Sequence, residues 1–180
     1  MKRIAILLLV ISCIVVLVSC KNDEQSLPPK PEGTVLEFWI TENVENVDFA
    51  DYDEIYGWMG AREYLGKGYK SLIDENGEQH YPNEYVSYII SAYPDYADGG
   101  SYITGITIAD PNVEVYGVSI DSSLEDFDQI FSEMGYEISV AAGSAENAHR
   151  AQKDGIVFVF SHRRSITIRA QVSNREGIQF

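Results

Sequence analysis

A thirteen-residue segment of this chain occurs twice, 75 positions apart, and this duplication constrains the fold more than any other feature. Residues 48–60, DFADYDEIYGWMG, align without a gap with residues 123–135, SLEDFDQIFSEMG. Five positions are identical, against about one expected by chance at average composition. Three further positions exchange similar apolar side chains. The chain is therefore predicted to contain two copies of one structural unit.

Both copies carry the apolar spacing of an amphipathic helix. In the second copy the stripe consists of Leu124, Phe127, Ile130, Phe131 and Met134. Ser122 and Glu125 fit a capping box, in which the two side chains satisfy free backbone amides at the start of a helix, and Gly135 ends it. The first copy has the same spacing from Phe49 to Met59, although Gly57 weakens its middle. Two helices are therefore predicted.

The other apolar segments have the composition and alternation of β-strands. Strands are predicted over residues 35–41, 85–92, 102–109, 156–160 and 166–172, with extended segments at 113–120 and 137–141. Asn76-Gly77 predicts a hairpin turn, because both turn residues need a positive φ. Gly105 predicts a bulge or a close backbone approach. The tripeptide Ile-Thr-Ile occurs at 106–108 and again at 166–168, and residues 143–154 are expected to form a polar loop.

The repeat and the strands together predict an α+β fold. Each half, residues 35–112 and 113–180, is expected to contain one helix followed by about three antiparallel strands. The two halves would join into one antiparallel sheet with both helices packed on one face. Residues 35–180 then form a single domain of ordinary size.

The first twenty residues have the pattern of a bacterial lipoprotein signal. Two basic residues precede an apolar run over 4–18, and Leu-Val-Ser-Cys at 17–20 resembles the lipobox, whose cysteine is lipidated and becomes the first mature residue. Residues 1–19 are predicted to be the signal peptide, Cys20 the lipidation site, and residues 20–34 a flexible linker reaching at most about 50 Å. We expect a lipid anchor on the extracytoplasmic face of the cell membrane. A single transmembrane anchor is the alternative interpretation.

The charge pattern argues against nucleic acid as a partner and distinguishes the end of the chain. The protein has 13 basic and 28 acidic residues, a net charge of −15. Without residues 1–19, 11 basic residues remain against 28 acidic ones, or −17, a balance that repels nucleic acid. Residues 20–148 hold 5 bases and 26 acids, whereas residues 149–180 hold 6 bases and 2 acids. The last part of the chain is therefore predicted to form a basic patch on an acidic protein.

Motifs for catalysis, cofactors and metals are missing from the sequence. It contains no G-x-S-x-G and no H-E-x-x-H, and its three histidines are scattered over predicted loops. No cysteine remains in the domain once residues 1–19 are removed and Cys20 is lipidated. Acidic residues at 74–78 and 95–98 offer oxygen ligands, but neither run has the spacing of a calcium loop, and turn chemistry explains both. We therefore predict a protein that is not an enzyme and that uses no cofactor or metal.

Two groups of side chains are candidate binding residues. Ten of the twelve tyrosines lie between residues 52 and 102. The candidates for an exposed aromatic face are Tyr88, Tyr93, Tyr96 and Tyr102, because tyrosine offers a large contact area at low entropic cost; ordinary strand packing is the alternative. Arg163 and Arg164 lie at a predicted hairpin tip. They are candidates for docking to an anionic partner: a wall polymer, a lipid surface or an acidic protein patch.

The tandem pattern resembles a known superfamily. The second unit opens with Gly-Val-Ser-Ile at 117–120 and Ser-Ser-Leu-Glu-Asp-Phe at 122–127, and closes with Met134-Gly135. With its partner unit it resembles the β-lactamase-inhibitor-protein-like superfamily, which includes small outer-membrane lipoproteins that assist barrel-protein assembly. The resemblance implies non-enzymatic protein binding, often through the concave face of the sheet.

Three departures limit what the resemblance implies. The first unit has a long insertion at about 61–84, Asp121 stands where a glycine is common, and the disulfides of the secreted inhibitors are absent. No inhibitor contact residue is therefore carried over, and inhibition of β-lactamase is not implied.

Two functions follow as expectations. The first is a lipid-anchored, non-enzymatic adaptor domain of the bacterial cell envelope that binds an envelope protein. The alternative is an envelope module that binds glycan or peptide through an aromatic face within residues 81–102. In both, the membrane is reached through the lipid on Cys20.

Overall fold

The computed structural model describes residues 28–58, 60–92, 100–141 and 148–171, and most of them belong to one large antiparallel sheet. These residues form ten strands, one α-helix and a short 3₁₀ turn, Phe49–Asp51. The strands are β1 (Glu54–Trp58), β2 (Ala61–Leu65), β3 (Leu72–Ile73), β4 (Gln79–His80), β5 (Val86–Ala92), β6 (Ser101–Ile108), β7 (Glu137–Val140), β8 (Ala148–Lys153), β9 (Ile156–Ser161) and β10 (Ser165–Ala170); the helix is α1 (Leu124–Glu133).

Each half of the chain contributes four strands to the sheet. Its order is β1-β2-β5-β6-β10-β9-β8-β7, and every neighbouring pair is antiparallel. The first four strands come from the first half and the last four from the second, so the halves meet where β6 pairs with β10. Strands β3 and β4 form a separate two-stranded hairpin inserted between β2 and β5.

The two Ile-Thr-Ile tripeptides face each other at this central seam. Ile106 pairs with Ile168, Thr107 with Thr167, and Ile108 with Ile166. Because successive side chains of a strand point to opposite faces, all four isoleucines lie on one face and both threonines on the other. The isoleucines are fully buried, whereas the threonines are half-buried. The seam thus separates an apolar face from a polar one.

The core lies on the isoleucine face. The sheet contributes Tyr88, Phe158 and Phe160 to it, besides the isoleucines. The layer that covers this face contributes Leu36, Phe38, Trp39, Ile40, Val44, Val113, Val115, Val118, Ile120, Phe127 and Phe131. Burial of such side chains stabilises the fold by about 1.5–3 kcal/mol each. The opposite face of the sheet is therefore left for other uses.

Local sequence signals define both ends of α1. Ser123 is the N-cap: its side chain accepts from the Asp126 amide while the Asp126 carboxylate accepts from the Ser123 amide. The capping box predicted for Ser122 and Glu125 is therefore present one residue later. At the other end, Gly135 has φ +80°, and the Tyr136 amide donates to the Phe131 carbonyl. This is the Schellman arrangement that favours glycine after a helix.

The first copy of the repeat is not a helix, and the predicted pair of helices on one face of the sheet is wrong. Asp48 accepts from the Ala50 amide but caps only the 3₁₀ turn, and Tyr52 is already extended, at φ −106° and ψ 141°. The chain continues into β1 and turns through Gly60, at φ +84°, into β2. Aromatic and β-branched residues around a central glycine favour a strand over a helix. The described residues therefore contain a single α-helix, and each half contributes four strands rather than three to the large sheet.

Three other predicted segments differ from the structure. Residues 35–41 do not form a strand; they belong to the layer that covers the core face of the sheet. Residues 113–120 form turns with one isolated bridge. The loop predicted at 143–154 contains β8, whose polar sequence AHRAQK hides its strand character. Its alanines are buried, and its longer side chains are half-buried or exposed.

Several local predictions are confirmed. The strands predicted at 85–92, 102–109, 156–160 and 166–172 correspond to β5, β6, β9 and β10. Asn76-Gly77 lies in the turn between β3 and β4, where Gly77 has φ +82°. The bulge predicted at Gly105 is confirmed by a register shift, because Ile89 pairs with Gly105 but Ile90 pairs with Ile103.

Part of the predicted linker is held against the domain. The Trp39 indole donates to the Pro28 carbonyl at 2.8 Å, and the Tyr116 hydroxyl donates to the Pro29 carbonyl at 2.6 Å. Lys30 donates to the Glu37 carbonyl at 2.9 Å. Residues 1–19 and Cys20 lie outside the described residues. Among the helices that the structure describes, none is long and apolar enough to cross a membrane.

Candidate functional site: the open face of the sheet

The face of the sheet opposite the core carries polar and charged side chains in two rows. Here it is called the open face and is defined by Ser87, Thr107, Thr167, Val159 and Arg150 in one row, and by Ile89, Gly105, Arg169, Val157 and Gln152 in the next. Except for Ser87, its polar side chains are half-buried or exposed. Side chains held on a paired sheet are well fixed, which suits a binding surface.

Two arginines dominate one end of the open face. Arg150 lies on β8 and Arg169 on β10, on either side of β9. Arg150 Nη2 donates to Gln152 Oε1 at 2.7 Å, and Gln152 Nε2 donates to Gln171 Oε1 at 2.9 Å. Arg150 Nε is buried and makes no hydrogen bond. Among the described residues, neither arginine has a carboxylate within 4.0 Å.

The other end of the face carries an acid and tyrosines. Glu63 on β2 accepts from the Ser87 hydroxyl through one carboxylate oxygen and from the Tyr81 hydroxyl at 2.9 Å through the other. The Tyr81 ring stacks on Tyr85 with centroids 4.9 Å apart. Burial, and then the bond to Glu63, raise the pKa of Tyr81, which keeps its hydroxyl protonated as a donor. At this end of the face Glu63 thus accepts from two hydroxyls. At the other end no described carboxylate lies within 4.0 Å of either arginine, and the exposed Glu137 of β7 continues the row beyond Gln152.

The candidate tyrosines do not form an exposed aromatic face. Tyr88 is 1% exposed and Tyr102 is 8% exposed. The Tyr88 hydroxyl accepts from the Glu37 amide at 2.7 Å, and burial raises its pKa to about 12. Tyr93 and Tyr96 lie outside the described residues. Strand packing, the alternative interpretation, therefore describes Tyr88 and Tyr102.

Among the tyrosines that the structure describes, two others are exposed. Tyr56 on β1 is 54% exposed, and Tyr81 is 38% exposed. Tyr56 pairs with Glu63, which places its side chain on the open face beyond Ile89. The sequence pattern predicts Tyr56 on the buried stripe of a helix. Its exposure follows only when residues 54–58 are assigned to a strand.

Arg163 and Arg164 do not belong to the open face. Both are exposed in the turn between β9 and β10, and Arg163 has φ +56°. The Arg163 amide donates to the Ile120 carbonyl at 2.7 Å, and His162 Nδ1 lies 2.8 Å from the Ser122 carbonyl. This turn therefore lies beside the start of α1. The described basic residues predicted as one patch are therefore dispersed: Arg150 and Arg169 lie on the open face, Arg163 and Arg164 in this turn, and Lys153 beside the end of α1.

The turn between β3 and β4 brings together Asp74, Glu78 and His80, whose ligand atoms lie within 4.8 Å of one another. Asp74 Oδ1 accepts from the Asn76 and Glu78 amides, both at 2.8 Å, and Oδ2 lies 3.1 Å from His80 Nε2. The backbone bond from Glu78, followed by the contact with His80, lowers the pKa of Asp74. These contacts are those of an Asx turn, so the cluster is explained without an ion.

A histidine–carboxylate pair occurs at the covered face. His149 Nδ1 lies 2.7 Å from Asp128 Oδ1, joining β8 to α1. A catalytic triad would also need a hydroxyl at the other ring nitrogen. No hydroxyl within the described ranges makes that bond, and the pair serves to attach the helix to the sheet.

Comparisons with protein-family models, with curated proteins and with solved structures found no match to this chain. The functional argument therefore depends on the sequence and on the geometry of the open face.

Proposed function

We propose that the protein is a lipid-anchored, non-enzymatic binding domain of the bacterial cell envelope, which recruits or modulates an envelope protein through the open face. The observation that carries the proposal is the asymmetry of the sheet. One face is covered by α1 and by residues 36–44 and 113–120, whereas the other presents two rows in which polar and charged side chains alternate with apolar ones. The resemblance to the β-lactamase-inhibitor-protein-like superfamily supports the same function from the sequence.

The proposed location follows from the lipobox-like residues at 17–20. Metabolic labelling with a palmitate analogue tests this part separately. We expect the wild-type chain to be labelled and to fractionate with membranes, and Cys20→Ser to lose both properties. A labelled Cys20→Ser chain would contradict the proposed anchor.

Site-specific photo-crosslinking in intact cells tests the binding face. A photoreactive residue at Thr167, in the middle of the open face, is expected to give a discrete crosslinked band with a second protein. The matched control is Glu125, which is exposed on α1 at the covered side. Equal crosslinking from both positions, or none from Thr167, would contradict the proposal.

A second candidate function is binding of an envelope glycan or peptide. The observation that favours it is the stacked Tyr81–Tyr85 pair beside exposed Tyr56, since sugar rings pack on accessible aromatic faces. Glycan-array binding that is lost in Tyr81→Ala would favour this function. A protein crosslink at Thr167 that persists in Tyr81→Ala would favour the first.

A further inference from the structure

The arginine end of the open face has the layout of a site for carboxylates. Strands β8 and β10 are separated by β9, and the register places Arg150 and Arg169 in neighbouring rows. With strands about 4.8 Å apart, the two Cα atoms lie roughly 12 Å from each other. Val157 and Val159 of β9 lie between them. Two cations thus flank a short apolar strip.

Both arginines lack the partners that an acidic chain would be expected to supply. The protein has 28 acidic residues against 13 basic ones, yet no described carboxylate lies within 4.0 Å of Arg150 or Arg169. By contrast, Arg62 and Lys70 on the same chain do pair with acids. A buried donor without a partner, such as Arg150 Nε, calls for a physical explanation.

An incoming carboxylate would satisfy that donor once the side chains that bury it have moved aside. The Nε and Nη2 edge of a guanidinium forms a fork that binds both oxygens of one carboxylate. In Arg150, Nη2 now donates to the neutral Gln152 amide, and Nε donates to nothing. A charge-assisted bond is about twice as strong as a neutral one, so a carboxylate would displace the Gln152 oxygen from Nη2. Gln152 would keep its bond to Gln171.

The surroundings of Arg169 favour an apolar side chain next to the acid. Its neighbours in the row are Gly105 and Val157. A Cβ on Gly105 would lie 2.9 Å from Ile89 Cδ1, so the Ile89 side chain leans over the glycine towards Arg169. Arg169 therefore has apolar neighbours on both adjacent strands, while the residue itself is exposed and its charge is accessible to a partner.

We infer that this end of the open face, formed by Arg150, Arg169, Gln152, Val157 and Val159, binds an extended acidic segment of the partner protein. The segment carries two Asp or Glu carboxylates with an apolar side chain between them. The spacing of about 12 Å corresponds to a separation of four residues in an extended chain, which also places both carboxylates on the same side of the segment. This inference rests on the proposed function and names the chemistry of its partner.

A lipid headgroup is a poorer fit to the same arginines. Pro28 and Pro29 are held by Trp39 and Tyr116, which belong to the layer on the opposite side of the sheet. Pro28, where the described chain begins, therefore lies on the covered side. An extended anionic membrane surface would also meet the net charge of −15, whereas one acidic segment meets only the arginines.

The test uses two ten-residue peptides and nuclear magnetic resonance of the arginine side-chain Nε signals. One peptide has two glutamates four positions apart with a valine midway between them, so that all three side chains share one face of an extended chain, and its twin has glutamines instead. We expect saturable shifts of the Arg150 and Arg169 signals with the glutamate peptide, and binding about tenfold weaker with the glutamine peptide. Absence of shifts at millimolar peptide would overturn the inference.

Matched variants separate this site from general charge effects. Arg150→Gln and Arg169→Gln are each expected to weaken binding of the glutamate peptide about tenfold, whereas the double change Arg163→Gln/Arg164→Gln, which removes more charge elsewhere, leaves it unchanged. Arg169 is exposed, so its variant keeps the test valid even if Arg150→Gln unfolds. Equal losses in all variants would contradict a specific site.

Two further arms identify the occupant. Residues 172–180 include Glu176; if deleting 173–180 creates peptide binding that the full chain lacks, this tail is the occupant and the inference fails.

In cells, Arg150→Gln/Arg169→Gln is expected to lower the Thr167 crosslink at least fivefold. An undiminished crosslink would leave the proposed function standing and refute the acidic segment.

Discussion

At the residue scale, the tyrosines illustrate how burial assigns a role that composition leaves open. Tyr88 lies edge-on to Phe38, with ring centroids 5.3 Å apart, and its hydroxyl satisfies a backbone amide. Tyr81 lies four residues before Tyr85, outside β5, and is 38% exposed. The sequence predicts a tyrosine-rich strand region but not which side chains are exposed, because that depends on the register of β5 against β2 and β6.

Tyr88→Phe is predicted to destabilise the fold by about 1–2 kcal/mol. The change removes the acceptor of the Glu37 amide at 2.7 Å and leaves that amide unsatisfied in a partly buried place. The free energy of unfolding in urea measures the effect. Tyr81→Phe is the matched control, since its hydroxyl donates to a solvent-accessible carboxylate, and we expect a smaller loss. A larger loss in Tyr81→Phe would contradict this view of the two side chains.

Stability is predicted to fall at alkaline pH because of the buried tyrosines. Burial raises the pKa of Tyr88 and of Tyr136 from 10.0 to about 12, and nearby Asp154 adds to the effect at Tyr136. A raised pKa in the folded state means that the stabilisation is fully present below pH 10 and is lost as the pH rises towards 12.

Near-ultraviolet absorbance of tyrosinate, followed together with circular dichroism, checks the alkaline prediction. The tyrosinate signals of buried Tyr88 and Tyr136 should develop together with unfolding. Ionisation of all tyrosines near pH 10 without loss of structure would show that the rings are accessible.

At the scale of elements, one sequence pattern gives two different structures. Asp48 and Ser123 occupy the same place in the repeat, and both act as N-caps. The second copy continues with Ser132-Glu133 where the first has Gly57-Trp58. A glycine followed by a tryptophan disfavours a helix and favours a hairpin strand. The sequence therefore predicts where each element starts, whereas its identity depends on residues that the repeat does not share.

The sequence does not predict β8 as a strand, because pairing with its neighbours β7 and β9, rather than its own hydrophobicity, stabilises it. It is paired on both sides, and its small Ala148 and Ala151 are buried. His149 is held by Asp128 of α1. With it, the sequence also missed Arg150 and Gln152 as parts of the candidate site.

Asp53→Ala is predicted to release the β3–β4 hairpin from the edge of the sheet. Asp53 Oδ2 accepts from the Ser71 amide at 2.9 Å and from its hydroxyl, and Oδ1 accepts from Lys70. The backbone bond from Ser71, followed by Lys70, lowers the pKa of Asp53. Hydrogen exchange in residues 70–81 is expected to quicken at least about tenfold, corresponding to loss of a charged hydrogen bond. β9 and β10 should be unaffected.

Asp51→Ala is the control for that experiment, because Asp51 is exposed in the 3₁₀ turn two residues earlier. It should leave hydrogen exchange in the hairpin unchanged. A hairpin that stays protected in Asp53→Ala would show that its other contacts, such as Gln79 Nε2 to the Glu54 carbonyl, are sufficient.

At the scale of the whole molecule, the β6–β10 seam makes two halves into one sheet. Ile168→Ala, at a fully buried position paired with Ile106 and Phe158, is predicted to cost about 3 kcal/mol. Because the core is shared across the seam, we expect a single cooperative transition at a lower temperature, measured by circular dichroism and by Trp39 fluorescence. Thr167→Ala, on the open face next to it, should change stability by less than about 1 kcal/mol. Two separate transitions would show that the halves fold independently.

The docking of Pro28 and Pro29 has a consequence for the range over which the domain can act. Eight residue steps separate Cys20 from Pro28, so a lipid at Cys20 would allow at most about 29 Å between bilayer and domain, instead of the 50 Å of a free linker. The largest distance between the bilayer and the domain is thus reduced by nearly half, and the volume that the domain can reach decreases more steeply. A partner would have to present its acidic segment close to the bilayer, as a membrane-embedded or membrane-bound protein does.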